Sequence, residues 1–349
     1  MTGPDREALA AFLDAELGPG ELAVEGRGAG YSNETLFVRW GGRELVLRRP
    51  PPDETAEGAH EVLREYQVLD ALSVTDVPVP RVVAACEDDS TLGAPFYVME
   101  RLHGDVIRTE EPARFATPDR REALAGEFVV VLAAIHGVDF RSVGLGDLGE
   151  PDGYLERQVD TFREASEWAL ETTREERAVP DLERVGEWLA DNVPDLSTPT
   201  LVHGDYKPDN VMFGPGEEPE IVGVFDWEMS TLGDPLADLA YALHCWPDPD
   251  ETEAERIVAD RFAPRLLADP DYPTREGFVR RYEDATGIEF RNRRFYLALA
   301  AFKMAALAEM FYARFVRGGV EDPMYEAMGR GVPDQAERAV EIIEGEWTI

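Results

Sequence analysis

Apolar and polar positions change their period twice along the chain. Residues 5–17 place Leu9, Phe12, Leu13 and Leu17 at helical spacing and stop at Gly18-Pro19-Gly20. The segment LAVEGRGAGYSNETLFVRW then reads as a strand, a glycine-rich turn and a second strand. Residues 43–49 (RELVLRR) continue as a third strand and end before Pro50-Pro51-Pro52. Residues 56–72 return to a helical period, with Val62, Tyr66, Leu69 and Leu72 on one face. Two more strands follow at 81–86 and 95–101, and the second runs into Leu102-His103-Gly104, a hinge. Beyond it the pattern is helical: 121–136, about 153–175, 181–192, and most of 252–346, including an apolar helix at 294–317. The pattern thus divides the chain into a small β-rich part, residues 1–102, and a larger helical part, residues 103–349.

One stretch inside the helical part breaks this rhythm. Residues 201–227, LVHGDYKPDNVMFGPGEEPEIVGVFDW, hold two short apolar runs that each end in polar residues. Asp205, Asn210 and Asp226 are thereby presented by loops at strand ends. Phosphoryl transfer from a nucleotide needs that inventory: a carboxylate near the acceptor hydroxyl, and an amide and a carboxylate for Mg²⁺. The spacing H-x-D-x-x-x-x-N, with an aspartate 16 residues after Asn210, is close to the protein-kinase pattern. Gly204 stands where kinases carry Arg, and Asp226-Trp227-Glu228 stands for D-F-G. The competing reading is an ordinary acidic hairpin. Spacing, strand context and side-chain types together favour the catalytic one.

Composition adds the setting. A length of 349 residues, 44% of them hydrophobic, suits one large domain or two lobes with an ample core. Cys86 and Cys245 lack metal or disulfide spacing, and the start MTGPDREALAAFLDAEL has no basic, apolar leader. The longest unbroken apolar run, Phe128 to Ile135, is too short to span a bilayer. These features predict a soluble cytoplasmic protein. The 71 acidic residues against 34 basic give a net charge of −37, spread over the whole chain. A distributed excess fits a solvated surface adapted to high salt, where screening removes self-repulsion. It disfavours nucleic acid and anionic membranes as partners. Only two of the basic residues are lysines, Lys207 and Lys303.

Further candidates take their places around this core. Gly26, Gly28 and Gly30 let backbone approach a phosphate, with Ser32 and Asn33 adding short polar side chains; a plain hairpin turn is the alternative. Arg48 ends the third strand, and Glu65, or else Glu61, is its expected ion-pair partner on the 56–72 helix. Backbone groups from Glu100 to Leu102 would face an adenine edge. His103 is read as hinge packing, His136 as a satisfied helix-end histidine, and Asp238 as a brace for the catalytic loop. Lys207, two residues after Asp205, suits a transferring phosphoryl group as a point charge. Lys303 is read as a snorkelling residue at the core edge; the alternative is that its helix borders the acceptor cleft, where the nearby basic cluster at Arg291, Arg293 and Arg294 would suit an anionic acceptor such as a CoA thioester.

With the glycine turn, Arg48, Glu65, the hinge and the 201–241 block in kinase order, the sequence resembles the aminoglycoside phosphotransferase-like small-molecule kinases. Gly30-Tyr31-Ser32-Asn33, Leu47-Arg48-Arg49-Pro50-Pro51 and Phe225-Asp226-Trp227-Glu228 look closest to the branch found alone or fused to acyl-CoA dehydrogenases. The resemblance covers about residues 20–320. It implies an α+β, bilobal protein-kinase-like fold: a small β-rich amino-terminal lobe with one helix, binding nucleotide, and a larger helical carboxy-terminal lobe. ATP or GTP and Mg²⁺ would occupy the cleft. Asp205 would orient and deprotonate the acceptor hydroxyl, Asn210 and Asp226 would hold the metal, and Arg48 with Glu65 would position the phosphates. His203 would brace the loop. The acceptor implied is a hydroxyacyl-CoA or hydroxy acid; an aminoglycoside, another amino alcohol or a sugar is the alternative, as is a pseudokinase that binds nucleotide and regulates a partner.

Overall fold

The computed structural model of the chain describes residues 5–28, 33–50, 56–108, 110–195, 198–246, 269–318 and 323–349. Gly30, Ser32, the side chain of Glu61 and the expected helices within 252–268 lie outside them. The amino-terminal lobe is a five-stranded antiparallel sheet in the order β1-β2-β3-β5-β4. Its strands are β1 (Leu22–Arg27), β2 (Glu34–Trp40), β3 (Arg43–Arg49), β4 (Val82–Cys86) and β5 (Phe96–Glu100).

Alternation along these strands sends side chains to two faces, and each face finds a helix. Leu36, Val38, Leu45, Leu47 and Val98 pack with Leu9 and Leu13 of α1 (Arg6–Leu17). Val46, Tyr97 and Met99 point the other way, toward Val62, Val68, Leu69 and Leu72 of α2 (Ala56–Leu72). The α1 helix therefore adds to the one helix expected from the resemblance and closes the outer face of the sheet. A four-residue helix, α3 (Asp89–Leu92), joins β4 to β5.

Past β5 the chain crosses into the helical lobe. Gly104 sits so close to the Phe213 carbonyl that a Cβ there would lie 2.2 Å from its oxygen. Asp105 and Phe213 exchange backbone hydrogen bonds at 2.8 and 2.9 Å, which fastens the hinge to the catalytic segment. His103 does not pack in this hinge. Its side chain is 60% exposed and reaches Glu44 at 3.0 Å.

The helical lobe comprises α4 (Pro118–His136), α5 (Tyr154–Thr173), α6 (Pro180–Asp191), α7 (Pro235–His244), α8 (Arg275–Thr286), α9 (Arg293–Val316), α10 (Pro323–Arg330) and α11 (Val332–Glu344). The central helix is α9, packed by α5, α6, α7, α10 and α11. It is apolar and long enough to cross a membrane, but 78% of its most apolar window is buried within the protein. Burial on nearly all sides explains why its sequence is apolar all round. Two short antiparallel pairs, the hairpin β7 (Val211–Phe213) with β8 (Ile221–Val224) and, enclosing it in sequence, β6 (Thr200–Val202) with β9 (Thr231–Gly233), carry the 201–227 stretch.

Candidate active site

The loop between β6 and β7 is built on buried backbone polar groups that need partners. Asp238, in the first turn of α7 and 2% exposed, accepts hydrogen bonds from His203 N at 2.6 Å and Gly204 N at 2.8 Å. Burial pushes the Asp238 carboxyl up, but His136, His203 and these bonds hold it below its ordinary range. His136 lies between Asp238 Oδ2 at 3.4 Å and the Tyr282 hydroxyl at 2.6 Å, a satisfied helix-end histidine as expected. His203 is fully buried. Its Nδ1 accepts from Asp205 N at 3.1 Å, so its Nε2–H donates to the Phe225 carbonyl at 2.9 Å, and burial lowers its proton affinity. The brace joins the end of β6 to the end of β8. Gly204 has φ of +82°, and a Cβ would come within 2.6 Å of the Met229 carbonyl oxygen, so glycine is required where kinases carry Arg.

Asp205 is therefore held at the loop tip. Lys207 Nζ lies 2.5 Å from Oδ2, Asn210 Nδ2 donates to Oδ2 at 2.8 Å, and the Tyr241 hydroxyl donates to Oδ1 at 2.6 Å. Burial raises the carboxyl, yet Lys207, Tyr241 and Lys303 outweigh it and keep Asp205 ionised. Lys207 stays protonated despite burial because Asp205 and Asp209 face it. Burial pushes Asp209 itself up to about 6. Asn210 also donates to the Asp205 backbone carbonyl at 2.9 Å. Both partners of that nitrogen are acceptors, which fixes the amide orientation and turns its oxygen away from Asp205.

Asp226, two residues past β8, adopts a left-handed conformation, φ +67°, which aims its carboxylate toward Arg48. There Arg48 meets it. Arg48 Nη2 is 3.1 Å from Asp226 Oδ1 and Nη1 is 3.1 Å from Glu65 Oε1, with Glu65 1% exposed. Glu65 is thus the partner that Arg48 takes on α2. Burial favours neutral Arg48, but Glu65 and Asp226 overcome it and the guanidinium stays charged. Asn33, 5% exposed, donates to Glu228 at 3.4 Å and ties the glycine-rich turn to the Asp226-Trp227-Glu228 segment. Gly28 closes the start of that turn: its N–H donates to the Thr35 carbonyl at 2.8 Å, and a Cβ would lie 2.9 Å from Thr35 Cγ2.

At the hinge, Glu100 N donates to Arg81 O and Arg101 N to Glu44 O, whereas Leu102 N–H has no protein acceptor among the described residues. Asp205, Lys207 and Asn210 thus form one cluster and Arg48, Glu65 and Asp226 a second; the Phe225 N–H, donating to the Asn210 backbone carbonyl at 2.9 Å, fastens the two segments that carry them, and Asn33 joins through Glu228. The Arg291–Arg294 cluster is elsewhere. Arg293 pairs with Glu276 at 2.8 Å, roughly 15 Å along α9 from Lys303 at 1.5 Å per residue. Sequence reasoning missed Tyr241, although its place three residues after Asp238 puts both on one face of α7. It also missed Arg64, whose guanidinium donates to the Leu148 and Ser230 carbonyls, each at 2.7 Å, and pins α2 to the helical lobe.

A family model described as "Phosphotransferase enzyme family" matches residues 23–278. The chain belongs to this phosphotransferase enzyme family. It is 35% identical over 338 residues to mouse acyl-CoA dehydrogenase family member 10, covering 96% of this chain but only 31% of that relative. A crystal structure from Ralstonia eutropha, provisionally named an aminoglycoside phosphotransferase, is 32% identical and covers 98% of this chain and 99% of its own, with a TM-score of 0.81. The GDP complex of aminoglycoside 2'-phosphotransferase-IIIa shares the fold at a TM-score of 0.62 and 17% identity. Protein-kinase-like architecture and family membership follow from these likenesses together.

Proposed function

We propose that this family member transfers the γ-phosphoryl group of ATP or GTP to a hydroxyl of a small molecule, with Mg²⁺ bound. The observation that carries the reading is Asp205, ionised and held by Lys207, Asn210 and Tyr241, on a loop whose Asn210 is hydrogen-bonded through backbone to the residue before Asp226, which itself meets the Arg48–Glu65 pair.

The residues fit the metal. Asn210 spends its amide N–H groups on Asp205 and retains its oxygen, while Asp226 gives one oxygen to Arg48. An amide oxygen and a carboxylate, completed by phosphate oxygens, suit a hard divalent cation. No closed cage of three or more His, Cys, Asp or Glu exists among the described residues, and such a cation needs none. Bound there, Mg²⁺ would neutralise charge on the nucleotide phosphates.

The protein's own groups do the rest. Asp205 orients the acceptor hydroxyl and takes its proton as the new oxygen–phosphorus bond forms and the bond from the γ-phosphorus to the departing nucleoside diphosphate breaks. Lys207 faces the moving phosphoryl group, and Arg48, oriented by Glu65, positions the phosphates. Gly28 and Asn33 lie beside them, Gly30 and Ser32 being expected there from the sequence alone, and the Leu102 N–H with Glu100 backbone meets the base. The distant fold relative holding GDP supports a nucleotide in this cleft. An acyl-CoA or hydroxy acid carrying a hydroxyl is our favoured acceptor, on the strength of the relative named for acyl-CoA dehydrogenases. Aminoglycosides, other amino alcohols and sugars come second, and a nucleotide-binding regulator without turnover is the third reading.

A screen of ADP release in molar KCl over hydroxyacyl-CoAs, hydroxy acids, aminoglycosides, amino alcohols and sugars tests this. We expect turnover with one acceptor class. Nucleotide binding with no turnover on any of them would leave the regulator as the surviving reading.

A further inference from the structure

The two lysines of this arginine-rich chain converge on neighbouring residues. Lys207 meets Asp205 from its own loop. Lys303 comes from the middle of α9, 6% exposed, and its Nζ donates to the Gly204 carbonyl. Lys303 is thus not the snorkelling residue its sequence position predicts. Helices α5 and α7 cover it, and its ammonium lies over two rings, 4.6 Å from the centroid of Tyr241 and 5.4 Å from that of Phe162. Tyr241 in turn donates its hydroxyl to Asp205 Oδ1 at 2.6 Å.

A buried ammonium is costly, and nothing in the packing of α9 requires one here. Burial lowers the proton affinity of Lys303, while Asp205 and Asp238 oppose that. The ammonium makes one carbonyl contact and lies over two rings. A small cavity of about 20 Å³ lies beside it, lined in part by Tyr154, Gln158 and Leu299. A methionine would fill the same space without the desolvation cost.

We propose that Lys303 and Tyr241 are positioning residues forming one clamp on Asp205, and that it fixes the carboxylate for the acceptor hydroxyl. Lys303 anchors the backbone one residue before Asp205 and seats the Tyr241 ring. Tyr241 then holds Oδ1 from the side opposite the Lys207 and Asn210 contacts at Oδ2. Fixing a reacting group in this way lowers the barrier without adding a substrate contact. The inference rests on the phosphotransferase reading above.

The test compares the full-length wild type with Lys303→Met, Tyr241→Phe, the double variant and Asp205→Asn in molar KCl. It uses MgATP as the probe and reads ADP release, nucleotide affinity, Tm and peptide-level hydrogen exchange. For Lys303→Met we expect about tenfold or greater loss of kcat, nucleotide Kd within twofold, and a Tm equal to or above that of the wild type. A merely structural lysine would instead lower Tm and affinity together, and that result overturns the clamp. Tyr241→Phe should lose a similar factor, and the double variant should lose less than the product of the two. Multiplicative losses would overturn the clamp. Exchange at residues 203–207 should quicken about tenfold in Lys303→Met with the rest of the chain unchanged; unchanged exchange there overturns the proposal even if basal turnover is too slow to follow. Turnover that survives Asp205→Asn would sink the phosphotransferase reading itself, whereas loss in Asp205→Asn alone would sink only the clamp.

Discussion

Arg48 on β3 and Asp226 just past β8 lie 178 residues apart in sequence and 3.1 Å apart in space. The same guanidinium reaches Glu65 through its other terminal nitrogen. One planar fork thus joins the sheet, α2 and the helical lobe, a geometry that a point charge does not reproduce. We predict that Arg48→Lys keeps one of the two pairs and loses the other. A lost charge-assisted hydrogen bond contributes about 1.5–3 kcal/mol. Nucleotide affinity should therefore fall about ten- to a hundredfold, measured by titration with MgATP. Wild-type affinity in this variant would show that the fork is unnecessary.

Asp205→Asn retains the shape of the side chain but removes the proton acceptor. Turnover on the identified acceptor should drop about a thousandfold or more, with nucleotide Kd within a few fold. Near-normal kcat in this variant would refute the assigned role. The companion change Asp226→Ala should act differently and abolish Mg²⁺-dependent nucleotide binding, read by titration with and without the metal.

Acid stability should report His203. Its folded proton affinity is depressed by burial, while the unfolded imidazole titrates near 6.5. Above that pH both states are neutral and the group contributes nothing that varies. As pH falls below 6.5 the unfolded chain takes up a proton that the folded one refuses, so stability drops by up to about 1.4 kcal/mol per pH unit from this group. Asp205 and Asp238, depressed in the folded state, add their losses only at lower pH, below their ordinary 3.8. His244, which burial pushes down to about 3, adds a loss of the same sign, while Asp209, pushed up to about 6, opposes both below that pH. Urea melts between pH 7 and 5 should show the net slope, and His203→Gln should lessen the loss on acidification. An unaltered slope in that variant would remove His203 from the account.

Salt should stabilise the fold. The net charge of −37 repels itself at low ionic strength, and the Debye length shrinks from about 10 Å at 0.1 M to about 3 Å at 1 M. Thermal melts should rise steadily from low salt to molar KCl. A flat Tm over that range would mean that local ion pairs already neutralise the surface field.

Sequence alone determined what local period and short spacing encode. Alternation set the five strands and their two faces, helical repeats set the helices on either side of the hinge, and 201–227 carries Asp205, Asn210 and Asp226 within 22 residues of one another. The reason is physical: a strand or helix exposes its buried face in its own periodicity, and a catalytic loop presents its groups from contiguous chain. Tertiary structure decided which faces meet. Nothing near Asp205 announces Tyr241 36 residues later, nor Lys303 from α9 beneath Gly204, because a residue's period shows that it is buried and not what it is buried against. Asn33 and Glu228 come together across 195 residues for the same reason. His103 and Lys303 reverse their sequence readings, one exposed and one enclosed, since the exposure of a polar side chain depends on which neighbours close over it.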